Sequence, residues 1–237
     1  MIQLAALLVS LIPSAAVFFW LMNGLRQGDG HKKNCGKLFL RGFLAPFPIF
    51  FLGLLFSILW KLSELESKIP MGHDLFHALI LTSGVEEFVK YTLLNKTLRE
   101  EQYSVSWLQV IAWQTIIALA FGVSEDLVYA FSTNVGQIIV RGIAMGHVSY
   151  GFLMGYFRGK GMKTGNGFYR ILACVLPWAM HALYNFSLSP VVAGNDFFTF
   201  TAVTLAALDV IIWVFFVLKL RKWRDSIEFT LPLWDLQ

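Results

Sequence analysis

Charge is scarce in this 237-residue chain: only 14% of its residues are Asp, Glu, Lys or Arg, against about 25% in an ordinary soluble domain. Cysteine is scarcer still. Cys35 and Cys174 stand alone, which excludes a disulfide framework and a cysteine-based metal site. No segment alternates apolar and polar residues over the roughly ten positions of a transmembrane strand, so a β-barrel is not expected. No internal repeat is visible, and the Gly- and Lys-rich stretch 158–167 is the one linker-like segment. The opening MIQLAALLVSLIP lacks a basic segment and a small-residue cleavage site, so it is expected to persist as a first span.

What is abundant is apolar surface. Hydrophobic residues make up 57% of the chain and aromatics 16%, and the mean hydropathy is +0.62. A bilayer-crossing helix needs roughly 20 predominantly apolar residues. Seven stretches qualify, near 2–22, 42–60, 74–95, 107–131, 135–157, 169–189 and 197–218. The third and fourth are interrupted by polar residues. The expected architecture is therefore all-α and polytopic, one membrane domain over 1–237.

Basic residues orient such a bundle, because short loops rich in Lys and Arg stay cytoplasmic. Arg26, Lys32, Lys33, Lys37 and Arg41 fall in the first loop, and Lys96 and Arg99 in the third. Arg158, Lys160, Lys163 and Arg170 fall in the fifth, and Lys219, Arg221, Lys222 and Arg224 in the tail. The alternate loops hold Lys61 and Lys68. A seven-span, N-out/C-in layout accommodates this split. The net charge of +4 then belongs to the lipid bilayer's anionic surface rather than to a nucleic acid.

Against this apolar background the ionisable residues inside spans are the informative ones, since each costs a few kcal/mol to insert. In SGVEEFVKYTLLNK, Glu86 and Lys90 are four apart and suited to an ion pair, while Glu87 points about 100° away. Both glutamates are too deep to snorkel. In FGVSEDLVYAF, Phe121 and Glu125 share a face, and Asp126 is expected either to be wetted or to pair with Arg141. In the fifth span His147, Gly151 and Gly155 recur every four residues, a spacing that lets helix backbones approach closely. In WAMHALYNF, His181 and Asn185 share a face. Carboxylates and imidazoles on four separate helices suggest a shared polar site. Its chemistry has two routes: a carboxylate takes a proton from water, or a Glu with two His binds a divalent ion and leaves one position open for water. Residue types and spacing leave both open.

Three other signals are weaker. HDLFH (His73, Asp74, His77) has the spacing of the zinc-protease H-E-x-x-H, but Asp is shorter than the Glu used there as base, and an acidic residue near a helix start is the plainer explanation. His31 lies in a basic loop. Asp209, alone in the middle of the last span, has no evident role.

Taken in order, EEFVK, FGVSE, a helix-borne His and HALYN resemble the motifs of the PrsW family of intramembrane proteases, grouped with the type II CAAX prenyl proteases. Glu86, Glu87 and Lys90 match the first motif, Phe121 and Glu125 the second, His147 the third, and His181 with Asn185 the fourth. Asp126 departs from the Asn expected after the second-motif Glu. The resemblance covers about 74–189, a four-helix catalytic core, and leaves 2–22, 42–60 and 197–218 as flanking spans. It implies an endopeptidase in the bacterial cell membrane that cuts a single-span protein such as an anti-sigma factor. In the mechanism expected on that basis, Glu86 or Glu87 acts as base on a water held by His147 and His181. Asn185 stabilises the oxyanion, Lys90 anchors the carboxylates, and Glu125 orients a histidine or joins His147 and His181 around Zn2+. No organic cofactor is expected. A non-catalytic scaffold, akin to the polytopic subunit of gamma-secretase, and a proton- or cation-coupled transporter are the alternatives.

Overall fold

The computed structural model describes residues 2–25, 28–63, 69, 71–101, 105–130 and 134–230. Arg26, Lys68 and the last residue of the expected 107–131 span lie outside them. The described chain is a bundle of helices: α1 (Ile2–Asn23), α2 (Gly28–Leu44), α3 (Pro46–Leu62), α4 (Gly72–Phe76), a π-helical segment (His77–Gly84) running directly into α5 (Val85–Glu100), α6 (Trp107–Tyr129), α7 (Val135–Ala144), α8 (Gly146–Thr164), α9 (Gly167–Ser187), α10 (Asp196–Trp223) and the short α11 (Ile227–Thr230). The all-α polytopic expectation holds.

Among the described residues, five helical runs are long and apolar enough to cross a membrane: Ile2–Asn23, His31–Leu62, Trp107–Tyr129, Val135–Thr164 and Asp196–Trp223. The stretches expected over 74–95 and 169–189 are helical too. Their apolar runs are diluted by Glu86, Glu87 and Lys90 in one and by His181 and Asn185 in the other.

α6 is the axis of the bundle. A capping box starts it: Gln109 N–H donates to Ser106 Oγ at 3.2 Å, and Ser106 N–H donates to Gln109 Oε1 at 2.8 Å. From Trp107 to Gly122 every side chain is buried, because α1, α2, α5 and α8 all pack around it. The glycine spacing in α8 explains the closest of these contacts. A Cβ at Gly151 would lie 2.7 Å from Ala118 Cβ, and one at Gly155 2.7 Å from Ile111 Cα, so only bare backbone lets α8 lie this close to α6.

Two segments differ from expectation. The first basic loop is largely a helix, α2, whose inner face buries His31, Cys35 and Leu38. His31 is a structural pin there: Trp113 Nε1 donates to its Nδ1 at 3.1 Å, and its Nε2 donates to the Leu21 carbonyl at 2.9 Å. The basic residues occupy the other face, where Lys37 and Arg41 pair with Glu100. A charged composition masked that amphipathic helix. The second difference is a break in the expected 135–157 span at Met145, a left-handed residue (φ 45°, ψ 47°) between α7 and α8. Non-glycine residues adopt that conformation at a cost of roughly 1–2 kcal/mol, and nothing in the apolar pattern announces it.

Candidate active site

The site forms where α5, α6, α8 and α9 meet. α5 contributes Glu86, Glu87 and Lys90, which are 3%, 2% and 0% exposed. The π-helical segment ahead of it is held by α9, whose Trp178 Nε1 donates to the Leu79 carbonyl at 2.6 Å. Asn185 Nδ2 reaches Thr82 Oγ1 at 3.4 Å and Ser83 Oγ at 3.3 Å.

Lys90 organises the centre. Its ammonium donates to Glu87 Oε1 at 2.7 Å and to His147 Nδ1 at 2.9 Å, and it lies 4.3 Å from the centroid of the Phe121 ring. The expected Glu86–Lys90 pair is loose at 3.9 Å. The tight partner is Glu87, because the helix turn brings its carboxylate to the same side as His147 and His181. Phe121 thus has a physical role, a cation–π roof over a buried charge.

The histidines are each oriented by a carboxylate. An ammonium has no acceptor, so with Lys90 donating to Nδ1, His147 carries its proton on Nε2 and donates to Glu125 Oε2 at 2.7 Å. Gly122 makes room for this ring, since a Cβ there would lie 2.9 Å from His147 Cδ2. His181 donates from Nδ1 to Glu87 Oε1 at 2.9 Å and turns its Nε2 toward Glu86 Oε2, 3.8 Å away. The two imidazole rings sit 5.0 Å apart. Arg141 of α7 donates to Asp126 Oδ1 at 2.8 Å and to Glu125 Oε2 at 3.2 Å, which satisfies the pairing open to Asp126.

A cavity of about 80 Å³ lies among these groups, lined by Glu86, Glu125, His147, His181, Asn185 and Asp209. It exceeds the ~10–15 Å³ that one water needs. All seven sequence-selected residues therefore lie in or directly beside one polar centre, although Asn185 touches Thr82 and Ser83 rather than a histidine.

The metal-ligating set differs from the sequence expectation. Glu86, His147 and His181 offer ligand atoms within 4.8 Å of one another, where Glu125 had been placed with the two histidines. Glu125 is instead engaged by His147 and Arg141. The donor set suits a divalent ion: Glu86 Oε2 is buried with no hydrogen-bond partner among the described residues, and His181 Nε2 faces it. His147 would have to release Lys90 or Glu125 to lend a nitrogen. Charge points the same way, for Glu86, Glu87, Glu125 and Asp126 meet the two cations Lys90 and Arg141. The HDLFH residues form no such cluster among the described residues; His73 Nδ1 pairs with Asp74 Oδ1 at 3.0 Å and its ring stacks on His77.

Sequence reasoning missed Trp178, which contacts the π-helical segment through an otherwise ordinary apolar face. It also missed Tyr150, which stacks on His181 with ring centroids 5.2 Å apart. Tyr150 follows His147 by three residues, so helical spacing alone puts it beside the site.

Comparison with known proteins finds relatives of this chain. The chain is 26% identical over 234 residues to Protease PrsW of Clostridioides difficile, covering 94% of this chain and 93% of that one. It is 23% identical over 195 residues to Protease PrsW of Oceanobacillus iheyensis, covering 80% and 83%. No solved structure matches it. The model of the PrsW family intramembrane metalloproteases matches residues 31–219, and this multi-pass membrane protein belongs to that family of intramembrane proteases.

Proposed function

We propose that this chain hydrolyses a peptide bond in a single-span, membrane-anchored protein of the anti-sigma-factor kind, with the amino terminus outside and the cut made toward the outer face. The observation that carries the reading is the convergence of Glu86, His147 and His181 ligand atoms within 4.8 Å beside a water-sized cavity.

In this reading Glu86, His147 and His181 hold a divalent ion such as Zn2+. A bound ion of that kind lowers the pKa of water and polarises a carbonyl. The chain's own groups do the rest. Glu87 fixes the tautomer and ring angle of His181, as a carboxylate behind a ligating histidine does. Lys90 holds Glu87 in place and keeps the charge of that carboxylate compensated. Glu125, at the cavity wall, accepts the proton of the attacking water and passes it to the leaving amine. Among the described residues Asn185 Nδ2 has only long contacts, at 3.3 Å and 3.4 Å, and it donates to the developing oxyanion.

One observation favours a second, metal-free reading. Both nitrogens of His147 are engaged, by Lys90 and by Glu125, and in that state Glu86 is the base. Metal analysis of the purified protein, paired with the activity of Glu86→Gln, separates the two. A bound ion that Glu86→Gln releases supports the ligand role. A metal-free, active wild type assigns Glu86 the base role. The intact carboxylate pair and the family match speak for an enzyme over the scaffold or transporter alternatives. A single-span reporter in proteoliposomes tests this directly: uncleaved reporter, with correct insertion, rejects the proposal.

A further inference from the structure

The last span supplies none of the motif residues, yet it reaches the site. Asp209 of α10 is 2% exposed and lines the same cavity as the histidines. Two hydrogen bonds, and a lack of room for a side chain at Gly146, tie it to the start of α8 around His147. Its backbone carbonyl accepts the Ser149 hydroxyl at 2.7 Å, its Oδ2 accepts the Tyr150 hydroxyl at 3.4 Å, and that oxygen lies 3.0 Å from where a Gly146 Cβ would be. Its Oδ1 is buried with no hydrogen-bond partner among the described residues. A carboxylate in the middle of an otherwise lipid-facing helix is expensive, so the acceptor it offers to Tyr150 calls for a role.

The path onward is short. Tyr150 is 2% exposed, and its ring lies nearly parallel to that of His181, 27° between planes. One face of the imidazole is thus fixed by Tyr150, while Nδ1 is fixed by Glu87. Without the Asp209 contact, the Tyr150 hydroxyl has no other hydrogen bond among the described residues to hold the ring's angle.

We propose that Asp209 is a positioning residue of the site: through the Tyr150 hydroxyl its carboxylate sets the His181 ring. This rests on the peptidase reading above for its activity readout, but the geometry also bears on ion binding by itself. The reacting atoms are not touched by Asp209.

The test is a double-mutant cycle in the full-length protein, reconstituted with a single-span reporter, joined to titration of the detergent-purified protein with Zn2+ alone. Asp209→Ala and Tyr150→Phe are each expected to lower kcat about tenfold with KM unchanged, and to weaken Zn2+ binding by a similar factor, the lower end for a contact behind a ligand. The double variant should be no worse than the weaker single, because both changes break the same link. Asp209→Asn, which keeps an acceptor oxygen for Tyr150, should restore most of the rate. Multiplying effects in the double variant overturn the proposal, and so do wild-type kcat and Zn2+ affinity in Asp209→Ala. Should Asp209→Ala fail to insert, Tyr150→Phe decides, since it keeps the ring and loses only the hydroxyl; wild-type behaviour there overturns it. Weakened Zn2+ binding in a protein that cleaves no reporter supports this inference and counts against the peptidase reading alone.

Discussion

The axis of the bundle and its rim are built from similar apolar residues, but they are buried to very different degrees. Of the apolar stretch in α6, 89% is covered by protein, against 22% in α10 and 17% in the His31–Leu62 run. At the rim, Leu4, Leu8, Ile12, Phe51, Phe200 and Val203 are exposed and face the surroundings that acyl chains would fill. At the axis, space is rationed: glycines admit backbones, and Lys90 and Arg141 are each gripped by a carboxylate. Lipid is as apolar as a leucine side chain, so a rim position tolerates many residues. An axis position does not. The site could be assembled only where protein, rather than lipid, supplies the hydrogen bonds for ionised groups.

The sharpest way to break this contrast is to remove reacting groups. Glu86→Ala and His147→Ala are each expected to lower cleavage of a reconstituted single-span reporter by about 10²–10⁴-fold, the range for a lost acid–base group or its orienter. Membrane insertion, checked by protease accessibility, should be unchanged. Substantial activity in both variants would place the chemistry elsewhere.

Next comes the charge at the centre. Lys90→Met strands Glu87 without its cation, and losing one partner of a buried pair costs about 3–5 kcal/mol. Phe121→Leu removes only the ring above Lys90, which is worth up to about 2 kcal/mol in a dry site. Thermal unfolding in detergent should rank Lys90→Met well below Phe121→Leu. The reverse order would mean that the roof, not the ion pair, stabilises the centre.

Close packing ranks third. Gly151→Leu must push α8 off α6 at Ala118, and overpacking of this kind costs roughly 1–3 kcal/mol. Leu8→Ile and Phe51→Leu on the rim should stay within about 0.5 kcal/mol of wild type. Equal melting shifts at the two places would erase the distinction between axis and rim.

The smallest effect lies at the end of α5. Glu100 is held down to about 2 by its hydrogen bonds to Lys37 and Arg41. A depressed carboxyl stabilises the fold above its ordinary value of 4.5. That contribution fades as pH falls from there toward about 2. The group is 33% exposed, so water screens the pair, and Glu100→Gln should cost under about 1 kcal/mol. The difference between the melting curves of Glu100→Gln and wild type should therefore close on acidification through this window; a constant offset from pH 7 to pH 3 would contradict it.

The components of the site were legible because deep ionisable groups have few bland explanations. Glu86, Glu87, Glu125, His147 and His181 announce themselves by sitting where lipid-facing residues belong. Their pairing was not legible. Which glutamate Lys90 grips depends on where α8 and α9 place two imidazoles, and no spacing within one helix encodes that. α2 was hidden for the opposite reason: Lys32, Lys33 and Lys37 look like loop residues until His31, Cys35 and Leu38 are seen to share the other face. The Met145 break leaves no trace in an apolar pattern that runs on through it. Asp209 was conspicuous in the sequence, but its partner Tyr150 lies 59 positions away.

The wide turn ahead of Glu86 has a consequence for how this chain tolerates insertions and deletions. Over His77–Gly84 the winding is looser than in an ordinary helix, with Trp178 caught on one of its carbonyls. Every residue gained or lost there re-aims whatever follows by about 100°. A single-codon deletion between 77 and 84, harmless by composition, would put Glu86 and Glu87 out of register with His147 and His181. Length in that octet therefore fixes the aim of the carboxylate pair.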